Sequence, residues 1–411
     1  ALARLVATWN PHLHVDNHVT NGSDHAWVLT WLVAEAPQLA APVDAWVRSH
    51  LPQVMAAIDA DGHPNGPYVN HISRSDPAAG MIWDVTQPRY SSGYFPLRNR
   101  VSILIEMHAH KPFRDRVLAN RAFIDELIVE TGRSGDELVR AVNAAEAATV
   151  AMGAADADPS DVVVRWKAAE QSDTITWPAY DWTIEDSVVM GGEMVRYHPG
   201  RSRTVEIEWR HRQAAELKLP RPRGYLVLAG WPQIDELVSG HGLRAFKLKT
   251  DTELEVETVR LANPKFTTSS YQGVVMVEDF EVSRNREKRL VPTGSLWIPA
   301  DQPSFEVAVQ LFEPEAPDSI VRWGVVSSLF ERKIYIGLDL LEQLAEEMLT
   351  DDEVRSEWEA ALEDPEFAKD PGARYLWWYQ RTPYWDETVG LLPVMRVMAP
   401  ARLDLDQWSQ P

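Results

Sequence analysis

The run His12-Leu13-His14-Val15-Asp16-Asn17-His18, residues 12–18, decides how the first part of the chain folds. Successive side chains of a strand point to opposite faces, so Leu13 and Val15 share one face while His12, His14, Asp16 and His18 share the other. Immediately upstream, Ala1 to Trp9 reads as the last turns of a helix stopped by Asn10-Pro11, and downstream Thr20-Asn21-Gly22 reads as a turn. Helix followed by strand is the grammar of an α/β layer. Three imidazoles and a carboxylate on one face suit a metal, and hydrogen-bonded histidines at a strand end suit the pattern equally well. Within the run, His18 is the ligand candidate, because strand ends converge on sites in α/β folds.

A second run repeats this logic. Val101 to Glu106 reads as a buried strand, and extending it to His110 puts Glu106, His108 and His110 on one face. A carboxylate that closes an apolar strand is costly unless it is paired or used, and burial pushes its pKa toward the range of a general base. The alternative is an ion pair with Arg98, Arg100 or Lys111. Between the two strands lies Pro88 to Arg100 (PRYSSGYFPLRNR), rich in phenol and guanidinium groups. Such a loop suits a carboxylate-bearing ligand, held by a bidentate Arg and a Tyr hydroxyl. Standing alone it would read as an ordinary surface loop.

Further along, Pro42 to Ala60 reads as a helix, with Pro42 in its first turn and Gly62 as its stop, and Gly62 to Pro96 reads as irregular. Two helices are expected next, Pro112 to Thr131 and Gly135 to Met152, and then a boundary at Ala154 to Ser160. Extended runs follow, several with a period of two, including Thr204 to Trp209, Leu254 to Val259 and Phe305 to Gln310. A short helix, Pro232 to Ser239, capped by Gly240-His241-Gly242, interrupts them. From about Asp318 the chain turns helical, most clearly over Leu338 to Leu349, and it ends in an aromatic-rich stretch around Tyr375 to Tyr379. The division expected is 1–155 for the α/β part, 156–315 for a β-rich accessory domain, and 316–411 for a helical, aromatic-rich tail packing on what precedes it.

With 411 residues, 45% of them hydrophobic, the chain exceeds the usual size of one domain and can bury a large core. Its formal charge of −21 argues against a nucleic-acid partner, since phosphate binding needs clustered cations. The absence of Cys leaves His, Asp and Glu as the strong metal ligands. No stretch is apolar for long enough to span a bilayer.

Taken together, HVDNHVTNG, YSSGYFPLRNR and SILIEMHAHKPFR closely resemble, in order and spacing, the C-terminal half of the catalytic domain in a bacterial branch of the carboxypeptidase A family of zinc peptidases. VPTGSLWIPADQP, LFEPEAPDSIVRWG and RTPYWD look like the β-rich extension and helical tail of that branch, so the similarity covers nearly the whole chain. The resemblance implies a mixed-sheet α/β domain binding one zinc ion, with His18 as the third zinc ligand and Glu106 as the catalytic base. It further implies that Tyr94 or Tyr90 closes over a peptide or amide-linked amino-acid substrate, and that Arg98 and Arg100 orient it. A secreted or periplasmic location is the family expectation.

One departure from the family matters. Its first two ligands are a His and a Glu three residues later, and none of the 12 His here is followed by Glu at that spacing. The chain opens on what reads as a helix end, so one ligand of three is expected within it, and inactivity of the chain alone is expected with it. Activity then requires that a separate N-terminal segment supplies the rest, or that His14, Asp16 and His108 assemble a site of their own. The competing expectation is a non-catalytic binding module with a degenerate peptidase-like domain.

Overall fold

The structure is a computed structural model describing residues 2–20, 24–84, 87–332, 335–400, 403 and 405–409. The turn expected at Thr20-Asn21-Gly22 therefore lies largely outside the described residues. Residues 1–257, 287–323 and 394–411 form one compact unit, and residues 258–286 and 324–393 form a second.

In the first unit, α1 (Leu2–Trp9) ends at Asn10, whose φ of 43° turns the chain into β1 (Leu13–Val19). Next come β2 (Leu29–Val33), α2 (Ala41–Ala60), the short β3 (Asn65–Pro67) and β4 (Met81–Ile82), α3 (Ser91–Tyr94), β5 (Val101–Met107) and α4 (Phe113–Gly153). The sheet runs in the order β1-β5-β2-β3, with β1 parallel to β5, β5 antiparallel to β2, and β2 parallel to β3. It is a mixed sheet in an α/β arrangement, as the helix and strand grammar implies. Val101, Ile103, Ile105 and Met107 of β5 enter one core with Leu29, Val33, Val43, Trp46, Ile58 and Phe123. Each such side chain taken from water stabilises the fold by roughly 1.5–3 kcal/mol. β2 has no counterpart in the sequence reading, because Leu29-Thr30-Trp31-Leu32-Val33 lacks the alternation of a half-exposed strand.

α4 corrects one expectation. The sequence suggests two helices separated near Gly132 and Gly135, whereas a single helix of 41 residues passes through both glycines. Each glycine costs about 1 kcal/mol relative to alanine there. The cost is outweighed by one continuous buried seam, Phe123, Leu127, Glu130, Ser134, Leu138 and Val142. α2 grips the suspected break directly: Trp46 Nε1 donates to the Ser134 carbonyl at 3.3 Å, and His50 Nδ1 lies 2.7 Å from Glu130.

Beyond α4 the first unit is mainly β. β6 (Asp161–Ala168) pairs antiparallel with β9 (Gln213–Pro220), and β7 (Asp173–Asp186) with β8 (Glu193–Arg210), while β4 joins β8 in parallel. β10 (Gly224–Val227), α5 (Pro232–Gly240), β11 (Phe246–Leu248), β12 (Thr252–Phe266), β13 (Val277–Val291), β14 (Leu296–Pro299), α6 (Phe305–Phe312), β15 (Val394–Val397) and β16 (Trp408–Ser409) follow. Their seven strands order as β13-β12-β15-β10-β14-β11-β16, of which residues 252–257 of β12 and 287–291 of β13 belong to the first unit. Phe305 to Gln310, expected as a strand, is helical in α6. Phe305, Val307, Ala308, Val309, Gln310 and Phe312 are all buried, and the polar residues Glu306 and Gln310 that suggest a period of two stand four apart, a spacing that a helix turn fits as well.

Among its described residues the second unit holds residues 258–266 of β12, residues 277–286 of β13 and the helices α7 (Leu338–Met348), α8 (Asp352–Leu362), α9 (Pro365–Lys369) and α10 (Pro371–Tyr379). Asp351, Asp364 and Asp370 accept hydrogen bonds from the first free N–H groups of α8, α9 and α10. Leu341, Ala345, Trp378 and Tyr379 form the core, with Trp358, Trp377 and Trp385 packed against it. The aromatic run of this region is thus interior packing.

Candidate active site

The pairing register brings His18 and Glu106 together. They are direct partners across the parallel β1–β5 pair, and Glu106 is also the partner of Thr30 across the antiparallel β5–β2 pair. Partners in register share a face of the sheet, on strands about 4.8 Å apart. His18, Glu106 and Thr30 therefore form one row, opposite the face that Ile103, Ile105 and Met107 bury.

Glu106 is 7% exposed, and its Oε2 is buried with no hydrogen-bond partner among the described residues. Burial raises its pKa to about 7; His18 opposes the shift and the nearby Asp16 carboxylate adds to it. The suspected ion-pair partners are engaged elsewhere. Lys111 Nζ donates to the His25 carbonyl and to Tyr180. Arg98 Nη1 donates to the His241 carbonyl at 2.9 Å. Arg100 is 2% exposed and donates to the Arg98 carbonyl, Asn10 Oδ1 and Glu146 Oε1.

On β1, the His18 side chain is 53% exposed, with Nε2 2.8 Å from Asp16 Oδ1. The other oxygen of Asp16 accepts a 2.6 Å hydrogen bond from Ser91, the first residue of α3. Phe95 stacks on His14 at 4.2 Å, and His14 Nδ1 lies 3.1 Å from Ser102 Oγ. These contacts lay the tyrosine-bearing loop along the polar face of β1. From that loop, Tyr94 is buried, its hydroxyl 2.9 Å from His241 Nδ1, whereas Tyr90 is 42% exposed.

His108 and His110 do not continue the Glu106 face. β5 ends at Met107, and His108 turns into a closed pocket where its Nε2 lies 3.0 Å from Asp24 Oδ1. Burial, reinforced by Lys111, holds the His108 imidazole down to a pKa of about 4. His25 packs beside it at 4.3 Å between ring centres. The sequence reading missed Asp24, His25 and Ser91, since nothing in local spacing marks residues whose partners lie on other strands. It took His241 for part of a helix cap.

A zinc centre needs at least three protein ligands. Among the described residues no group of three or more His, Asp or Glu is arranged to hold a metal ion. His14, Asp16 and His108 do not gather, because His14 faces Ser102 and His108 faces Asp24. The donor set present does not by itself fit zinc. His18 is an accessible imidazole oriented by a carboxylate, the form a single ligand would take.

Part of the chain is similar to "Carboxypeptidase 2" of Trichophyton tonsurans and of Trichophyton equinum, each 33% identical over 114 residues, which is 27% of this chain and 21% of the relative. The same protein of Trichophyton rubrum is 31% identical over 106 residues, 26% of this chain and 20% of the relative. The chain is thus a distant, partial homologue of fungal carboxypeptidases. The match spans about a fifth of the length of those relatives. No family model matches the chain, and no solved structure matches it. Among the described residues, no helix is long and apolar enough to cross a membrane.

Proposed function

We propose that this chain carries part of the catalytic centre of a zinc-dependent carboxypeptidase that releases C-terminal residues from peptides, with Glu106 as its base. The observation that carries the reading is a buried carboxylate with an unpartnered oxygen, in register with an exposed, carboxylate-bound histidine. Leaving a buried polar atom unpaired costs about 1–3 kcal/mol, a cost natural folds keep at functional sites. With a pKa near 7, the Glu106 carboxylate takes a proton from water as the water oxygen bonds to the scissile carbonyl carbon. It returns that proton to the amine nitrogen as the C–N bond breaks, ending in its starting form.

Zinc belongs to this proposal as an ion for which His18 is one ligand, the others coming from outside the described residues. Tyr94, Tyr90 and Arg98 lie on the loop that covers β1 and are proposed to meet the substrate. Arg100 supports that loop from within, through Arg98 and Glu146. Export from the cytoplasm is part of the same reading.

The test is amino-acid release from a peptide with a free C-terminus by the complete protein supplied with zinc. Glu106→Gln is expected to lower turnover by at least a hundredfold while zinc content stays unchanged. Turnover retained in that variant would remove Glu106 from its role and leave a binding module as the better account.

A further inference from the structure

The β-rich stretch after β9 has no part in the reading above, yet one of its residues touches the tyrosine loop. We infer that His241, on the turn after α5, is a positioning residue that fixes the Tyr94 hydroxyl for substrate, so that the β-rich part of the chain contributes to the site. The inference rests on the carboxypeptidase reading for the role of Tyr94 and stands on separate geometry.

His241 is anchored at its backbone and engaged through its ring. Its N–H donates to the Leu237 carbonyl at 2.9 Å, closing α5, and its own carbonyl accepts from Arg98 Nη1 at 2.9 Å. Its ring meets the Tyr94 hydroxyl at 2.9 Å. The turn itself has little freedom: Gly242 sits at φ +64°, and a Cβ there would come within 2.9 Å of the Ala7 Cβ on α1. Tyr94 is equally confined, its ring edge-on to Phe95, which stacks on His14 of β1. A rigid turn on one side and the polar strand on the other thus leave the phenol one well-defined place.

Burial, and then the charge of Arg98, hold the His241 imidazole at a pKa of about 4, so the ring is neutral at pH 7. A neutral ring with its proton on Nε2 accepts the phenol proton at Nδ1, and the Arg98 side chain donates to the Tyr94 oxygen, leaving that oxygen one lone pair for a further donor. A hydroxyl held in that way can be met by a donor on the substrate, such as a peptide N–H, without first being reoriented. Arg98 binds the same turn, so the loop and the turn are tied at two points.

A double-mutant cycle on the complete protein tests this. The probe is a peptide with a free C-terminal carboxylate, its affinity measured in the Glu106→Gln background so that it is not consumed. Tyr94→Phe and His241→Ala are each expected to weaken binding about tenfold, and the double variant no more than either alone. His241→Asn, whose side-chain amide reaches the Nδ1 position, should restore most of the loss, a rescue that a merely structural role would not show. Additive losses, unchanged affinity in His241→Ala, or no peptide binding by the parent would each overturn the inference. If Glu106→Gln still hydrolyses the peptide, it is the assignment of Glu106 that falls, and the same cycle is then read in KM.

Discussion

Replacing Glu106 with Gln preserves the shape of the side chain and removes its charge, which isolates the energy that burial imposes on the carboxylate. In the folded protein the group holds its proton to about pH 7, whereas in the unfolded chain it releases it near 4.5. Between those values the folded state binds more protons than the unfolded one, so stability falls as pH rises. The fall is complete above pH 7 and amounts to about 3 kcal/mol, at roughly 1.4 kcal/mol per pKa unit. Part of it has already occurred at pH 5, so from pH 5 to pH 8.5 the stability of Glu106→Gln should gain roughly 2–3 kcal/mol relative to the parent. Urea titrations of both proteins at the two pH values measure this directly, with no need of zinc or substrate. Curves that shift in parallel with pH would refute the claim that Glu106 is buried against its charge, and with it the basis of its role as a base.

Two further outcomes follow from groups that bind the architecture together. His211 lies 2.7 Å from Glu35 and 2.9 Å from Asp173; burial disfavours its charge, but these two carboxylates outweigh that and raise its pKa above 6.5. Its contribution is therefore full below pH 6.5 and lost as pH rises through the higher folded value, so His211→Gln should be most destabilising in mild acid, as measured by urea titration. Arg100→Ala removes a buried guanidinium from Glu146 and Asn10 and should cost about 2–4 kcal/mol of stability, far more than an exposed loop arginine would. A cost below about 0.5 kcal/mol would return Arg100 to the surface loop that its sequence suggests.

What the sequence showed of the site was its rows. Alternation in HLHVDNH is enough to place His18 on the polar face of β1, whereas Glu106 is marked by the cost of a carboxylate closing an apolar strand that is buried on both faces. The alternation fails for β2, which is buried on both faces, it misleads for α6, whose Glu306 and Gln310 imitate a period of two, and it overran the end of β5 at His108. It is also silent on partnership. Arg98, Arg100 and Lys111 are equivalent cations on paper, and only the fold shows one bound to the α5 turn, one to Glu146 and one to Tyr180. His241 stands 147 positions from Tyr94, a separation at which local spacing carries no information.

The long helix α4 makes a mechanical point of its own. At 1.5 Å per residue it is about 60 Å long, more than twice the roughly 23 Å of a seven-residue strand such as β5. It begins beside the Glu106 strand and finishes with Gly153 pressed so close to Ala300, just past β14, that a methyl group there would stand 2.1 Å from the Ala300 carbonyl oxygen. One beam therefore braces two sheets. Its pair of glycines lies midway, at the place where Trp46 and His50 of α2 hold the helix through Ser134 and Glu130.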